Sequence, residues 1–174
     1  MANNDDPDRP HNLTSNEIQN LLSKRLIANL ATLNDDGSIH LVPMWFLQVD
    51  NNICIPTSHN TRKYRNLRKR SYASVMIDKS RAGLNLKGVL IMGQAELISG
   101  QEAQLINHSI HLKYVKAEAL SDIRVSSYLS EGDDVTVKIH MDRLFTWNLA
   151  DSKAGKALRA GGWFHPLDDE LESR

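Results

Sequence analysis

Cys54 is the single cysteine among 174 residues. Neither an internal disulfide nor a multi-cysteine metal site can form from it. Its place in the apolar run Ile53-Cys54-Ile55 predicts a buried, inert thiol suited to a reducing cytoplasm. Surplus charge is also missing: 21 Lys and Arg offset 21 Asp and Glu, which removes any general drive toward nucleic acid or membrane. No uninterrupted apolar run is long enough to span a bilayer. The N-terminus Met1-Ala2-Asn3-Asn4-Asp5-Asp6 is acidic and polar, unlike a signal peptide. The expectation is a soluble, unexported, cytoplasmic protein. Repeats and low-complexity tracts are absent. With 41% hydrophobic residues, the chain has enough apolar material for one globular domain, over 13–150. A flexible arm containing Pro7 and Pro10 precedes it over 1–12, and a polar tail follows over 151–174.

The most telling absence is local. Between Asn51 and Ile77 there are six Lys or Arg and no acid. They begin where an apolar strand, Ile53-Cys54-Ile55-Pro56-Thr57, runs through Ser58-His59-Asn60-Thr61 into the helical segment Arg62-Lys63-Tyr64-Arg65-Asn66-Leu67. A helix N-terminus carries partial positive charge and unpaired N–H groups, so cations there cost about 0.3–1 kcal/mol each unless an anion joins them. A bound phosphate reverses that sign. Thr57, Ser58 and Thr61 supply hydroxyl donors beside Arg62 and Lys63, and Thr61 is placed to be the N-cap. The plain alternative is a solvated basic face. Nucleic-acid binding would need aromatic or helical readout elements beside the charge, and the rest of the chain is not basic.

Thr14 and Glu17 predict a capping box, with Leu13 stapled onto Ile18, opening a helix through Leu21 and Leu22 that ends near Lys24. Leu26–Leu33 and Ile39–Val49 read as strands joined at the turn Asp36-Gly37, and Asp50-Asn51-Asn52 turns into Ile53–Ile55, completing a three-stranded meander. Tyr72–Asp78 and Leu84–Ile98 are further strands. Gly88 and Gly93 in the latter mark places of close approach. Ser99 and Glu102 repeat the capping-box spacing before a helix through Lys113, and Val135–Trp147 alternates as one half-buried strand. Together these predict a mainly β fold, a six-stranded antiparallel barrel with peripheral helices. A barrel that small is filled by its own side chains, so a planar cofactor belongs on its outer wall under a second subunit. Trp45 and Trp147 are candidates for that dimer surface.

The series Ile39-His40-Leu41-Val42-Pro43-Met44-Trp45-Phe46, then Thr57, then Thr61-Arg62-Lys63-Tyr64-Arg65-Asn66-Leu67, then Gly93-Gln94-Ala95-Glu96-Leu97, resembles the pyridoxamine 5′-phosphate oxidase-like FMN-binding split-barrel superfamily. The resemblance spans about Leu26 to Ile98 and continues more weakly to Trp147. It implies a homodimer holding FMN, or in one branch the deazaflavin coenzyme F420, at the subunit interface. It places the cofactor phosphate on Arg62 and Lys63 near Thr57, and the ring edge against the backbone of Val42, Pro43, Met44 and Trp45. Gly88 falls where a later strand faces the cofactor, and Trp147 at the interface aromatic. The implied activity is hydride transfer to or from a small heterocyclic or conjugated substrate. Leu41 stands where the vitamin B6 oxidases carry an arginine, and their arginine–histidine substrate motif is missing after Trp147, which argues against oxidation of pyridoxamine phosphate itself.

Some relatives in that superfamily bind haem, and His40 and His140 lie on the strands concerned, so a haem-binding or non-catalytic module is the alternative. His108 and His111 lie one helical turn apart without an acidic or cysteine partner at ligand spacing, and the expectation is no metal site. No catalytic residue is assigned, because the flavin ring supplies the hydride chemistry and leaves no obligatory acid or base in the protein.

Overall fold

The computed structural model describes residues 12–79, 86–132 and 134–163. The expected N-terminal arm up to residue 11, Leu84 and Phe164 lie outside them. Helix α1 (Ser15–Ser23) opens on the predicted capping box: the Thr14 hydroxyl accepts from the Glu17 N–H at 3.3 Å, and the Glu17 carboxylate accepts from the Thr14 N–H at 2.9 Å. Lys24 ends it, and Leu21 and Leu22 are buried.

The strands are β1 (Ala28–Leu33), β2 (Ile39–Met44), β3 (Leu47–Val49), β4 (Asn52–Thr57), β5 (Tyr72–Lys79), β6 (Lys87–Ser99), β7 (Val135–His140) and β8 (Arg143–Asn148). Helix α2 (Arg62–Lys69) lies between β4 and β5. Helices α3 (Gly100–Tyr114), α4 (Ala117–Leu120) and α5 (Ile123–Gly132) fill the β6–β7 connection, and α6 (Lys153–Gly161) follows β8 within the expected tail. The sheet order is β2-β1-β5-β6-β7-β4-β3, with β8 beside β6, all antiparallel. Because β2 runs into β3 through Trp45 and Phe46, the two ends of this path are covalently continuous and the sheet curls on itself. The fold is the expected antiparallel split barrel with peripheral helices.

Two of the six expected strand runs are broken at corners. The run Ile39–Val49 breaks at Trp45–Phe46, so β2 pairs β1 while β3 pairs β4, and the expected three-stranded meander does not form. Tyr114 takes over the ladder bonding there: its hydroxyl donates to the Leu26 carbonyl at 2.5 Å and accepts from the Phe46 N–H at 3.3 Å. The run Val135–Trp147 breaks at Met141–Asp142, where the Asp142 carboxylate accepts from the Gln94 N–H at 2.9 Å. Gly93 makes this crossing possible, because a Cβ there would lie 1.8 Å from the His140 carbonyl oxygen. The second expected capping box is also absent. Ser99 still pairs with Val135 as the last residue of β6 and makes no side-chain cap, and Gly100 turns the chain into α3 with φ +72°.

Directly opposed residues share a face. The row Val42, Leu30, Val75, Ile91 runs across β2, β1, β5 and β6 into the core, where Leu30, Val75 and Ile91 are fully buried. The other face carries the row Pro43, Asn29, Met76, Leu90, Phe145 and the row Leu41, Ala31, Ser74, Met92, Arg143. That outer face is apolar and open: Ile39 is 71% exposed, Leu41 62% and Phe145 55%. Cys54 is buried as predicted, and burial pushes its thiol up to about 11.

Candidate functional site

Strand β4 is buried along its whole length and delivers Thr57 and Ser58, both buried, to the foot of α2. Thr61 is the N-cap, as its position predicts: its hydroxyl accepts from the Tyr64 N–H at 3.4 Å, lies 2.9 Å from the Thr57 hydroxyl and donates to the Ser58 carbonyl at 2.8 Å. The intervening turn is anchored on both sides. Asp134, just before β7, accepts from the His59 N–H at 3.2 Å and pairs with its imidazole Nδ1, while Arg65 Nη1 donates to the Asn60 carbonyl at 2.7 Å. Arg62 and Lys63 then occupy the first two helical positions, and the first turn of α2 holds no acid. Among the described residues Arg62 makes no ion pair.

Asn66 fixes the direction in which this helix end points. Its side-chain amide donates to Thr32 Oγ1 at 3.1 Å and to Asn34 Oδ1 at 2.9 Å, tying α2 to the β1–β2 hairpin. Thr32 is directly opposite His40 on β2, and Arg62 lies one helical turn before Asn66 on the same face. His40 therefore sits beside the two cations. Burial chiefly, then the charges of Arg62 and Lys63, hold its imidazole below the ordinary histidine range. The hairpin carboxylates are already engaged: Asp35 with Lys69 at 2.5 Å and Arg70 at 3.4 Å, Asp36 with the Ser38 N–H at 2.9 Å and hydroxyl at 2.6 Å. An open cavity of about 670 Å³ runs between that hairpin and α2, with Arg62, Arg65, Arg68 and Lys69 along its wall.

On β2, Pro43 is exposed while Val42 and Met44 are half-buried toward the core. Among the described residues β2 pairs with β1 alone, so its second edge has no strand partner. Trp45 turns away from the outer face: its ring stacks on Tyr114 at 5.0 Å and 3° and meets His111 edge-on at 6.3 Å. Gly88 and Trp147 are opposed on β6 and β8, and a Cβ on Gly88 would lie 2.4 Å from the Trp147 ring. The structure thus gathers Thr57, Ser58, Thr61, Arg62 and Lys63 into one cradle adjoining β2. It leaves Gly88 and Trp147 apart from it, because β6 and β8, which carry them, are three and four strands from β2 along the sheet. Asn66 belongs to the segment read from the sequence, but its tie to the hairpin was not legible there, and Asp134 left no local sign at all. Among the described residues no three His, Cys, Asp or Glu side chains converge as a metal set, and no helix is long and apolar enough to cross a membrane.

The sequence profile of the pyridoxamine 5′-phosphate oxidase family matches residues 14–148. No curated protein sequence matches the chain. Among solved structures, a conserved hypothetical protein from Mycobacterium tuberculosis is 24% identical with a TM-score of 0.68, the match covering 83% of this chain and 89% of that one. An F420 reductase is 17% identical over 73% of this chain and 94% of its own, with a TM-score of 0.57. A haem storage protein from Vibrio cholerae is 17% identical over 77% and 94%, with a TM-score of 0.59. Likeness at these identities bears on the fold alone.

Proposed function

This chain belongs to the pyridoxamine 5′-phosphate oxidase family, and we propose that it is an FMN- or coenzyme F420-dependent oxidoreductase, acting in the cytoplasm as a homodimer on a small heterocyclic or conjugated substrate. The observation that carries this reading is the cation pair Arg62–Lys63 at the N-terminus of α2, set behind the buried Thr57 and the half-buried N-cap Thr61 with no acid in the first helical turn. Positive charge at a positive helix end is unfavourable by itself and favourable around a phosphate. The donor set fits such a group: two cations and the first N–H groups of the helix, on a turn whose hydroxyls bond one another and whose surroundings are tied down by Asp134 and Asn66.

Arg62 and Lys63 would hold the phosphate, and the open edge of β2 from Val42 to Trp45 would receive the ring through backbone groups. When bound, a flavin supplies the hydride-transfer chemistry itself. The protein's share is to orient the ring, exclude water and place N–H dipoles where negative charge develops. Gly88 and Trp147 lie too far across the sheet to meet the same ring in one chain. A second copy laid on the exposed apolar face would bring its own Gly88 and Trp147 to the ring and cover Leu41 and Phe145, which is why the functional unit is a dimer. Leu41 presents an exposed apolar group on β2, a poor partner for a phosphorylated vitamin B6 substrate and a suitable one for an uncharged conjugated ring.

Titrating the purified protein with FMN, followed by flavin fluorescence, tests the site. Arg62→Ala and Lys63→Ala should each weaken FMN binding by about 1.5–3 kcal/mol, the worth of a charged hydrogen bond. Unchanged affinity in both variants would refute the assignment. The visible spectrum of protein purified from cells separates FMN, coenzyme F420 and haem, and bleaching with recovery on adding an electron donor and acceptor tests turnover.

A further inference from the structure

The two cations at the helix end face a third group that can become one. His40 is half-buried on β2, across from Thr32, and within the electrostatic reach of Arg62 and Lys63. We infer that His40 takes up a proton when a phosphate dianion docks on Arg62 and Lys63, so that ligand binding at this site is coupled to the charge of one imidazole. The inference rests on the phosphate-binding reading of the cradle and adds to it a titrating third partner.

The surroundings of His40 set the sign. From α2 it meets Arg62 and Lys63, both positive, and from β1 it faces Thr32, which is neutral and already accepts from Asn66. From the hairpin, Asp36 is held by Ser38 and its remaining pull is exerted on Arg62. In the ligand-free protein burial and the two cations oppose protonation of the ring. A dianion placed on Arg62 and Lys63 cancels the positive field that opposes protonation and adds a negative one. The same field acting on a half-buried histidine moves its titration upward. His59 and His140 differ, because each already has a carboxylate partner, Asp134 and Glu96 respectively. By linkage, affinity for a phosphate-bearing ligand then falls as pH rises through the range in which the bound-state imidazole loses its proton.

Isothermal titration of the full chain with FMN, in buffers of different ionisation enthalpy at pH 6.5 and 7.0, counts the protons taken up. Wild type should take up roughly 0.3–0.8 proton per FMN more than His40→Gln. That comparison cancels the titration of the phosphate itself, whose second pKa is about 6. FMN affinity of the wild type should fall several-fold between pH 6 and 8, and that of His40→Gln should fall less. Riboflavin, which lacks the phosphate, should show no difference in proton uptake between the two proteins. Should the variant misfold, the imidazole proton resonance of His40 in the wild type must move toward its charged position on adding FMN and stay put with riboflavin. Equal proton counts in wild type and variant with FMN bound, or an unmoved His40 resonance, would overturn the coupling and leave the phosphate site standing. Failure of wild type to bind either FMN or inorganic phosphate would overturn both.

Discussion

At Gly88 the missing side chain matters because the indole of Trp147 occupies its space. An alanine there would put its methyl 2.4 Å from one ring carbon and 2.9 Å from the Cβ of Asp78 on the opposite strand, so the indole must move and the pair of strands must give. Overpacking of this kind costs about 1–3 kcal/mol. Gly88→Ala should lower stability by that amount in denaturant titration, and the loss should shrink when Trp147→Ala is added, since the two substitutions share one contact. Equal losses in the presence and absence of Trp147 would show that the ring is not what Gly88 accommodates. The sequence marked Gly88 and Gly93 as sites of close approach because each interrupts an apolar strand. It could not name the visitor: Trp147 lies 59 positions after Gly88, and the His140 carbonyl 47 after Gly93. The same limit applies to the cradle. Thr57, Thr61, Arg62 and Lys63 are consecutive enough to be read as one chemical unit, whereas the carboxylate that anchors His59 comes from Asp134, 75 residues later.

Among the elements, the bend between β2 and β3 is where local reading and structure part. Apolar character continues from Ile39 through Trp45 to Val49 without a glycine, and Pro43 marks an edge strand without placing the corner that follows it. The corner is imposed from α3: Tyr114 bonds the Leu26 carbonyl and the Phe46 N–H, and stacks beneath Trp45. Burial pushes the Tyr114 hydroxyl up to about 12, with the Phe46 N–H opposing, so it stays a neutral donor and acceptor through the physiological range. Tyr114→Phe keeps the stack and removes both bonds, leaving a backbone donor and acceptor short of partners in a part-buried position. The expected loss is about 1–3 kcal/mol by thermal or chemical unfolding. A variant as stable as the wild type would mean that the bend is held by packing alone. The short helices α4 and α5 escaped the sequence reading for a related reason. They carry no capping box, and α4 is a single turn of four residues, Ala117–Leu120. Where local signals were strong, as at Thr14–Glu17, Asp36–Gly37 and Thr61, the elements begin or turn at those residues.

At the scale of the whole molecule, the fold leaves one broad side of its sheet apolar. Leu33, Ile39, Leu41, Met76 and Phe145 are all exposed there, on strands whose opposite faces form the core. Lone exposed apolar residues are ordinary, but a contiguous set across neighbouring strands marks a surface that something covers. The proposed occupant is a second copy, because the residues implied for one ring, those of β2 and the Gly88–Trp147 pair, stand three and four strands apart in a single chain. Replacing Leu41 and Phe145 together by Asp places two carboxylates at the centre of such a contact while touching neither the core nor the cradle. Sedimentation should then change from dimer to monomer at micromolar protein, with folding preserved by circular dichroism. Flavin binding should separate into its parts: the monomer should lose the quenching of flavin fluorescence that comes from enclosing the ring, yet keep weak affinity for inorganic phosphate at Arg62 and Lys63. A double variant that remains dimeric, or a wild type that is monomeric and still encloses the ring, would show that the apolar face serves another partner and that one chain completes the site.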